Sequence, residues 1–256
     1  MKKPLILIVN DDGFEAKGLC ALVEAARDFG EVAVVVPDGS RSGVAHAITM
    51  YQPLRIKKYR EEDGVLYYKT NGMPADCVKL GQKVVLRGRK IDLILSGINH
   101  GSNSSVSILY SGTMGAAIEG CFDGTKSAGF SLLDYSDDAD FTASIHYAKQ
   151  IIPKILEADI PPQVALNINI PKGSIEDIKG IKITRQTKGY WEEDLERRVD
   201  AFGRDYYWLS GYLVDTDPHD DTCQWALNNH YISVQPVQTD MTAYHCMNNL
   251  KFMEEI

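Results

Sequence analysis

The sequence predicts an α/β protein built on a doubly wound, Rossmann-like and mostly parallel sheet. Apolar runs of strand length recur along the chain without polar alternation, which is the pattern of strands buried on both faces. Segments with apolar side chains at helical spacing lie between these runs. With 256 residues, 44% of them hydrophobic, the chain can bury one large core. We therefore expect a single α/β domain over residues 1–256, with a projecting β-hairpin arm and a C-terminal extension.

The first unit of this fold runs from the start of the chain to Pro37. Residues 5–9 form an apolar run typical of a buried strand. Residues 19–26 then carry apolar side chains at helical spacing, and Gly30 is a natural helix stop. A second buried strand is expected at residues 32–36. The sequence thus predicts a β-α-β unit, whose crossover should be right-handed.

The middle of the chain continues the alternation of strands and helices. The predicted elements are a strand at 92–95, a helix from about 113 through 118, a strand at 130–133, a helix carrying apolar residues 145–155, and a strand at 164–170. Their order is that of a doubly wound sheet.

Residues 185–215 do not continue this alternation of strands and helices. They are rich in charged and aromatic side chains and contain a turn signal at residues 203–205, which predicts a projecting hairpin arm. The aromatic residues suit either a subunit contact or packing on the same domain, and the sequence favours neither. A strand at 231–234 and a helix from about Thr242 are expected in a C-terminal segment, residues 230–256.

The charge balance and the cysteines exclude several classes of partner and compartment. Acidic residues outnumber basic ones by 35 to 27, and the net charge of -8 would repel a nucleic-acid polymer or an anionic membrane. The five cysteines are scattered and contain no C-x-x-C, which argues against a disulfide framework or a zinc knuckle. The first apolar run is shorter than the ~7 to 15 residues of a signal-peptide core. We expect a cytoplasmic protein that contacts neither membrane nor nucleic acid.

Four polar, glycine-rich segments lie where a doubly wound sheet binds its ligands, just beyond strand ends. They are residues 10–13, 38–43, 96–103 and 110–113. Because the carboxyl ends of parallel strands share one edge, we expect these segments to converge on one rim. Two carboxylates, a hydroxyl and an amide oxygen there would suit a hard cation such as Mg²⁺ or Mn²⁺. The helix that opens at residues 111–113 would direct its positive end at a phosphate.

The adjacent acids Asp11 and Asp12 are the most informative pair in these segments. Side-by-side carboxylates at the end of a buried strand repel each other and favour a cation between them. A single Asp after a strand is most often a helix cap, and Ser42 and Asn99 taken singly are ordinary turn residues. His100 is left unassigned, because a lone loop histidine is more often solvated. Convergence of several segments favours a ligand site.

Common nucleotide-binding and nucleophile motifs are missing from the sequence. No G-x-G-x-x-G follows the first strand, and neither a G-x-x-x-x-G-K-[ST] loop nor a G-x-S-x-G elbow occurs. A haloacid-dehalogenase-type aspartyl nucleophile would need a second Asp two positions after the first, and Gly13 follows Asp11 and Asp12 instead. These absences argue against dinucleotide-dependent, P-loop and serine-hydrolase chemistry.

Six stretches, spread over nearly the whole chain, carry a family resemblance. They are VNDDGFEAKGL, PDGSRSGVAHAIT, NGMPADCVKLG, DLILSGINHGSN, ILYSGTMGAAIEG and YISVQPVQTDMTAY. Through them the chain resembles the SurE survival-protein family of metal-dependent nucleoside monophosphate phosphatases, and the first, second and fourth stretches together are highly specific. The chain departs from the family pattern at several positions that bear on substrate preference and the shape of the rim. These are Met73, Ser105, Ser107, His230 and Gln235.

The resemblance implies a set of site residues. The implied ligands of one divalent metal ion are Asp11, Asp12, Ser42 and Asn99. The residues implied to lie beside the substrate phosphate are Asn103, Ser111, Gly112 and Thr113. The expected catalytic residues are Asp11, Asp12, Asn99 and Ser111. The resemblance also implies 5′-nucleotidase activity, extending to 3′-monophosphates and short polyphosphate, in a dimer or tetramer that exchanges its arm and C-terminal segments.

Residues and resemblance together predict hydrolysis of a small-molecule phosphate monoester by a metal-activated water. The alternative is a non-hydrolytic nucleotide or sugar-nucleotide binding protein that uses the same metal cradle, for instance a glycosyltransferase-like domain. Phosphate release from a nucleoside monophosphate, with and without EDTA, separates the two hypotheses.

Overall fold

The structure, a computed structural model, describes residues 3–255, so residues 1, 2 and 256 of the predicted segments lie outside the described residues. The elements in chain order are β1 (Leu5–Val9), α1 (Lys17–Ala26), β2 (Glu31–Pro37), β3 (Ile56–Glu62), β4 (Val65–Thr70), α2 (Pro74–Leu80), β5 (Leu93–His100), α3 (Gly112–Cys121), β6 (Lys126–Leu133), α4 (Thr142–Glu157), β7 (Val164–Pro171), β8 (Gly180–Ile183), β9 (Gly189–Val199), β10 (Asp205–Asp215), α5 (Cys223–Asn228), β11 (Tyr231–Gln238) and α6 (Tyr244–Leu250). A short 3₁₀ helix, Ser105–Leu109, precedes α3.

Nine of the described strands form one sheet in the order β3-β4-β2-β1-β5-β6-β7-β11-β8. The neighbours from β4 to β7 are parallel, as are β11 and β8. Only the β3–β4 and β7–β11 pairs of this described sheet are antiparallel. The predicted mostly parallel sheet is therefore confirmed.

Helices cover both faces of the sheet, as the buried strand pattern predicts. Alternate residues of β1 point to opposite faces. Ile6 and Ile8 belong to the core under α1 and α4, whereas Leu5, Leu7 and Val9 belong to the core under α2 and α3. All five side chains are buried, which explains why β1 has no polar alternation. The doubly wound arrangement is confirmed.

Several elements were not predicted from the sequence. The edge strand β3 has the sequence IKKYREE with no fully buried residue, so it lacks the apolar run that marks an interior strand. Helices α2 and α5 have seven and six residues, too few to show helical periodicity. The strand expected at 92–95 also continues to His100, with pairing to β6 resuming at Asn99 after a register shift. Asn99 therefore lies within β5 and not in a loop beyond it.

The arm and the C-terminal segment have the predicted character. Strands β9 and β10 pair with each other as a separate antiparallel hairpin, in register from Gly189–Asp215 to Val199–Asp205. The helix α6 begins at Tyr244, two residues later than expected, and has no buried residue. Among residues 3–255, no helix is long and apolar enough to cross a bilayer.

Candidate active site

The turn after β1 is closed by its own side chains. The Asn10 amide nitrogen donates to the Gly13 carbonyl oxygen at 2.8 Å, and the Gly13 N–H donates to the Asn10 amide oxygen at 3.2 Å. The Arg41 N–H donates to the Asp11 carbonyl oxygen at 2.7 Å, which joins this turn to the segment that carries Ser42. Two of the four predicted segments are therefore held together by hydrogen bonds, with Asp11 and Asp12 between them.

The Asp11 carboxyl is buried, with 4% of the residue exposed. The Thr113 hydroxyl donates to one of its oxygens at 2.6 Å. A Cβ atom at Gly112 would lie 2.9 Å from the other oxygen, so only glycine lets the start of α3 approach this closely. Burial raises the pKa of Asp11 to about 6, against the lowering effect of the Thr113 hydrogen bond, and the neighbouring Asp12 charge raises it further.

The Asp12 carboxyl is less buried, and burial also raises its pKa. The backbone N–H of His100 lies 3.5 Å from one Asp12 oxygen and opposes this shift. Both adjacent acids are thus desolvated and carry raised pKa values in the metal-free protein. A cation beside them would favour the ionised form of each.

The predicted amide and hydroxyl ligands lie near the two acids. The Asn99 amide nitrogen donates to the carbonyl oxygens of Gly101 at 2.8 Å and His100 at 3.2 Å. Its amide oxygen accepts no hydrogen bond from the described residues and is available to a ligand. The Ser42 hydroxyl lies 3.0 Å from the Ser40 hydroxyl.

One cavity of about 490 Å³ brings most of the predicted site residues together. Those that line it are Asp11, Ser42, Asn99, Asn103 and Ser111. The other three predicted residues, Asp12, Gly112 and Thr113, are not among its lining residues. Gly112 and Thr113 lie behind Asp11, and the Thr113 side chain is completely buried. The Thr113 side chain is thus a hydrogen-bond partner of Asp11. The implied position of Gly112 and Thr113 beside the phosphate stays a prediction.

Ser111 and Asn103 are fixed by different means. The Ser111 hydroxyl caps α3 by accepting from the Met114 N–H at 3.0 Å. The Asn103 side-chain amide donates to the Ser131 hydroxyl at 2.8 Å, and its backbone N–H donates to the Asn169 amide oxygen at 2.8 Å. These neighbours on β6 and β7 were missed by sequence reasoning, although paired asparagines in the buried strand sequence LNINI were a visible signal.

The rest of the cavity wall was also missed. Its further lining residues include Tyr110, Tyr135 and five residues of the arm, namely Trp191, Glu193, Leu209, Ser210 and Gly211. The aromatic density of the arm was a signal, but the sequence could not show that the hairpin lines the same cavity as the strand ends.

The donor set suits a hard cation held mainly by two carboxylates. Among residues 3–255, no group of three or more His, Cys, Asp or Glu side chains is arranged to hold a metal ion. Carboxylate oxygens of Asp11 and Asp12, the Asn99 amide oxygen and the Ser42 hydroxyl are all hard oxygen ligands. Such a set fits Mg²⁺ or Mn²⁺ better than zinc, which prefers nitrogen and sulfur.

Comparison with known proteins identifies relatives over the whole chain. The family model for survival protein SurE matches residues 6–193. A protein of Flavobacterium psychrophilum named 5′-nucleotidase SurE is 48% identical, covering 98% of this chain and 97% of its own. Another of that name from Cytophaga hutchinsonii is 46% identical over the full length of both chains. The crystal structure of the SurE protein from Aquifex aeolicus superposes with a TM-score of 0.85 at 39% identity, covering 98% of this chain and 100% of that one.

These matches confirm the resemblance inferred from the sequence motifs. They extend well beyond the rim that carries Asp11 and Asn99, since nearly the whole of each compared chain aligns. The fold, the motifs and the relatives agree, and the chain belongs to the SurE survival-protein family.

Proposed function

We propose that the protein is a phosphoric monoester hydrolase that removes phosphate from nucleoside 5′-monophosphates with the help of one divalent metal ion, Mg²⁺ or Mn²⁺. The observation that supports this most is the meeting of Asp11, Asn99, Ser42 and Ser111 around one cavity. The name 5′-nucleotidase, borne by relatives at 48% and 46% identity, supports the same activity.

In this proposal Asp11, Asp12, Ser42 and Asn99 hold the cation. When bound, the ion supplies Lewis-acid polarisation of a phosphate oxygen and a lower pKa for an attacking water. The Thr113 hydroxyl bond keeps one Asp11 oxygen oriented and leaves the other to the site. The closed turn between Asn10 and Gly13 fixes the backbone that carries both carboxyls. This chain's part in the reaction is therefore to hold charged groups in place before substrate arrives.

The phosphate is placed at the start of α3. Ser111 lines the cavity, and the ten-residue helix directs its positive end there. Asn103 lines the same wall and is held by buried asparagine neighbours. Asn99 and Ser111 are the proposed catalytic partners of the two acids. The site thus binds a terminal phosphate through its free oxygens. Diphosphoesters such as NAD lack a terminal phosphate and should be poor substrates.

The decisive experiment measures phosphate release from a panel of nucleoside monophosphates, phenyl phosphate and NAD. We expect hydrolysis of several nucleotides at rates within about two orders of magnitude, because pocket contacts are worth ~1 to 3 kcal/mol. EDTA should abolish the activity, and added Mg²⁺ or Mn²⁺ should restore it. Tight nucleotide binding without phosphate release would instead favour the non-hydrolytic binding protein, and release unaffected by EDTA would contradict the metal site.

Further features of the proposal follow the family resemblance. We extend the substrates to 3′-monophosphates and short polyphosphate, to be tested in the same assay.

We also propose a dimer or tetramer, because the arm and the C-terminal segment expose large apolar side chains that a single chain leaves in water. Examples are Trp208 at 62%, Phe202 at 83% and Phe252 at 66% exposure. All five cysteines are free thiols, which suits a cytoplasmic location.

A further inference from the structure

The arm shares a cavity with the proposed phosphate site. Trp191 and Glu193 on β9, and Leu209 on β10, line the cavity that Asp11 and Asn99 also line. A ligand held by its phosphate at the strand ends would therefore meet the arm with its other end. The arm thus faces the part of the substrate that differs from one phosphate monoester to another.

Trp191 and Glu193 present the same face of β9, because side chains alternate along a strand. Glu193 lies opposite Gly211 in the hairpin register. Gly211 also lines the cavity, and a Cβ atom there would lie 2.3 Å from the Glu192 carbonyl oxygen, so a side chain at this position would clash with the backbone of β9. Glu192, which points to the other face, is not among the residues that line the cavity. The cavity is therefore lined by the face of β9 that carries Trp191 and Glu193.

This wall combines flat apolar surface with hydrogen-bonding capacity. Trp191 is half-buried, and Tyr110, Tyr135 and Leu209 are 56%, 70% and 66% exposed. Exposed aromatic side chains around a concave site are suited to stacking on a planar ring. Binding of a phosphate group alone would not require an apolar cavity wall of this kind.

Glu193 adds a charge of the wrong sign for phosphate. Its carboxylate has no hydrogen bond or ion pair with any other described residue, and an ionised carboxylate only accepts hydrogen bonds. A phosphate placed against it would be repelled, whereas two adjacent hydroxyl groups could donate to its two oxygens. The cavity therefore offers a place for a phosphate, a planar ring and a diol on a single ligand.

We propose that Trp191 stacks on the base of the substrate and that Glu193 accepts hydrogen bonds from its ribose hydroxyls. The preferred substrates are then ribonucleoside monophosphates, discriminated from their 2′-deoxy counterparts. This assignment rests on the proposed phosphatase function, because it assumes that phosphate lies at the Asp11 end of the cavity.

The ribose contact is tested with Glu193→Ala and the matched control Glu192→Ala on the opposite face of β9. We expect wild-type kcat/KM to favour AMP over 2′-deoxy-AMP by about tenfold, since one charge-assisted hydrogen bond distinguishes them. Glu193→Ala should bring this ratio to within about twofold and leave phenyl phosphate hydrolysis unchanged. Glu192→Ala should keep the wild-type ratio. An absent wild-type preference, or one that survives in Glu193→Ala, overturns the assignment.

The base contact is tested by comparing AMP with ribose 5-phosphate, which lacks only the base. Trp191→Ala should lower kcat/KM for AMP by roughly tenfold, as expected for the loss of base–aromatic stacking. Ribose 5-phosphate should be little affected, and Trp191→Phe should retain most activity toward AMP. Tyr190→Ala, on the other face of the strand, is the control. An equal fall for both substrates would show a structural role and overturn the stacking assignment.

Different results would contradict the phosphatase function and the contacts of Trp191 and Glu193. Phenyl phosphate lacks the ribose diol and ribose 5-phosphate lacks the base, so each reports the phosphatase chemistry without one of the two proposed contacts. If both are hydrolysed and the nucleotide preferences do not respond to Trp191 or Glu193, the inference alone is wrong. If wild-type protein releases phosphate from no substrate with Mg²⁺ or Mn²⁺, the proposed function is wrong, and the inference fails with it.

Discussion

The strand-end rim and the arm form two parts of one cavity with opposite physical character. At the rim, Asp11 and Thr113 are 4% and 0% exposed, and hydrogen bonds tie the segments to one another. In the arm, Leu209 and Trp208 are 66% and 62% exposed, and within residues 3–255 the two hairpin strands pair only with each other. The rim is held by the core of the sheet, whereas the arm is held by two strands.

This contrast indicates that the rim carries the chemistry and the arm determines preference for substrates or partners. Groups that stabilise developing charge need fixed positions, and β1 and α3 provide them through burial. Groups that choose among substrates or partners tolerate more variation, and loops or arms on a rigid scaffold commonly carry them. Substitutions at the rim should therefore abolish chemistry, while substitutions in the arm should change preference or assembly.

The largest expected effect comes from the paired acids. Asp11→Asn and Asp12→Asn should each lower kcat/KM by more than roughly a hundredfold, because each removes one of only two carboxylates from a hard-cation site. Phosphate release at ordinary Mn²⁺ concentration measures the loss. Asp159→Asn, an exposed acid far along the chain, is the control for a general effect of lost charge. Near-normal turnover in either site variant would contradict the assignment of the metal site.

The same acids make metal-free stability depend on pH. The folded pKa of Asp11, about 6, lies above its ordinary value of 3.8, so the folded state binds more protons than the unfolded state between these values. The contribution of Asp11 to the free energy of unfolding should therefore be most favourable below about pH 4. It should become less favourable as the pH rises toward 6. The full cost at pH 7 is at most about 3 kcal/mol.

Asp11→Asn removes that titration while keeping an acceptor for the Thr113 hydroxyl. With EDTA present, the variant should be at least as stable as wild type at pH 7 to 8, and its advantage should disappear near pH 4. Urea unfolding at both pH values measures the difference. Destabilisation at pH 7 would show that the burial of this carboxyl costs less than the raised pKa implies.

A smaller effect is expected at Thr113, which acts through Asp11. Thr113→Val keeps the shape but removes the 2.6 Å hydrogen bond. We expect metal affinity or activity to fall by about 10- to 100-fold, as for other residues that orient a ligand. The concentration of Mn²⁺ for half-maximal rate should rise, and Thr113→Ser should restore it. An unchanged metal requirement in Thr113→Val would remove Thr113 from the site.

The smallest effect on chemistry is expected in the outer arm. Tyr206 and Trp208 on β10 are exposed and are not among the residues that line the cavity. Replacing both with Ser should convert an oligomer to a smaller species, with kcat/KM changed less than about threefold per subunit. Size-exclusion chromatography with light scattering measures the mass. A monomeric wild-type protein would refute the predicted subunit contact and leave the arm as a cavity wall only.

Much of this protein could be predicted from local patterns in its sequence. Runs such as Leu5–Val9 are apolar throughout because both faces of the strand are covered, so the order of residues alone indicates the layered fold. The adjacent acids after β1 and the start of α3 near Thr113 could be located in the same way, since strand ends and helix starts are local features.

The tertiary structure alone determined the contacts between residues that are distant in sequence. Asn99 lies inside β5 because strand pairing with β6 resumes after a register shift, which no local pattern announces. The Thr113 hydroxyl faces Asp11 across 102 positions of sequence. Trp191 and Glu193 line the same cavity as Asp11 and Asn99, although about 90 to 180 positions of sequence separate the two pairs. Periodicity reports which face of an element is buried, but the direction in which a hairpin leaves the sheet depends on packing between remote residues.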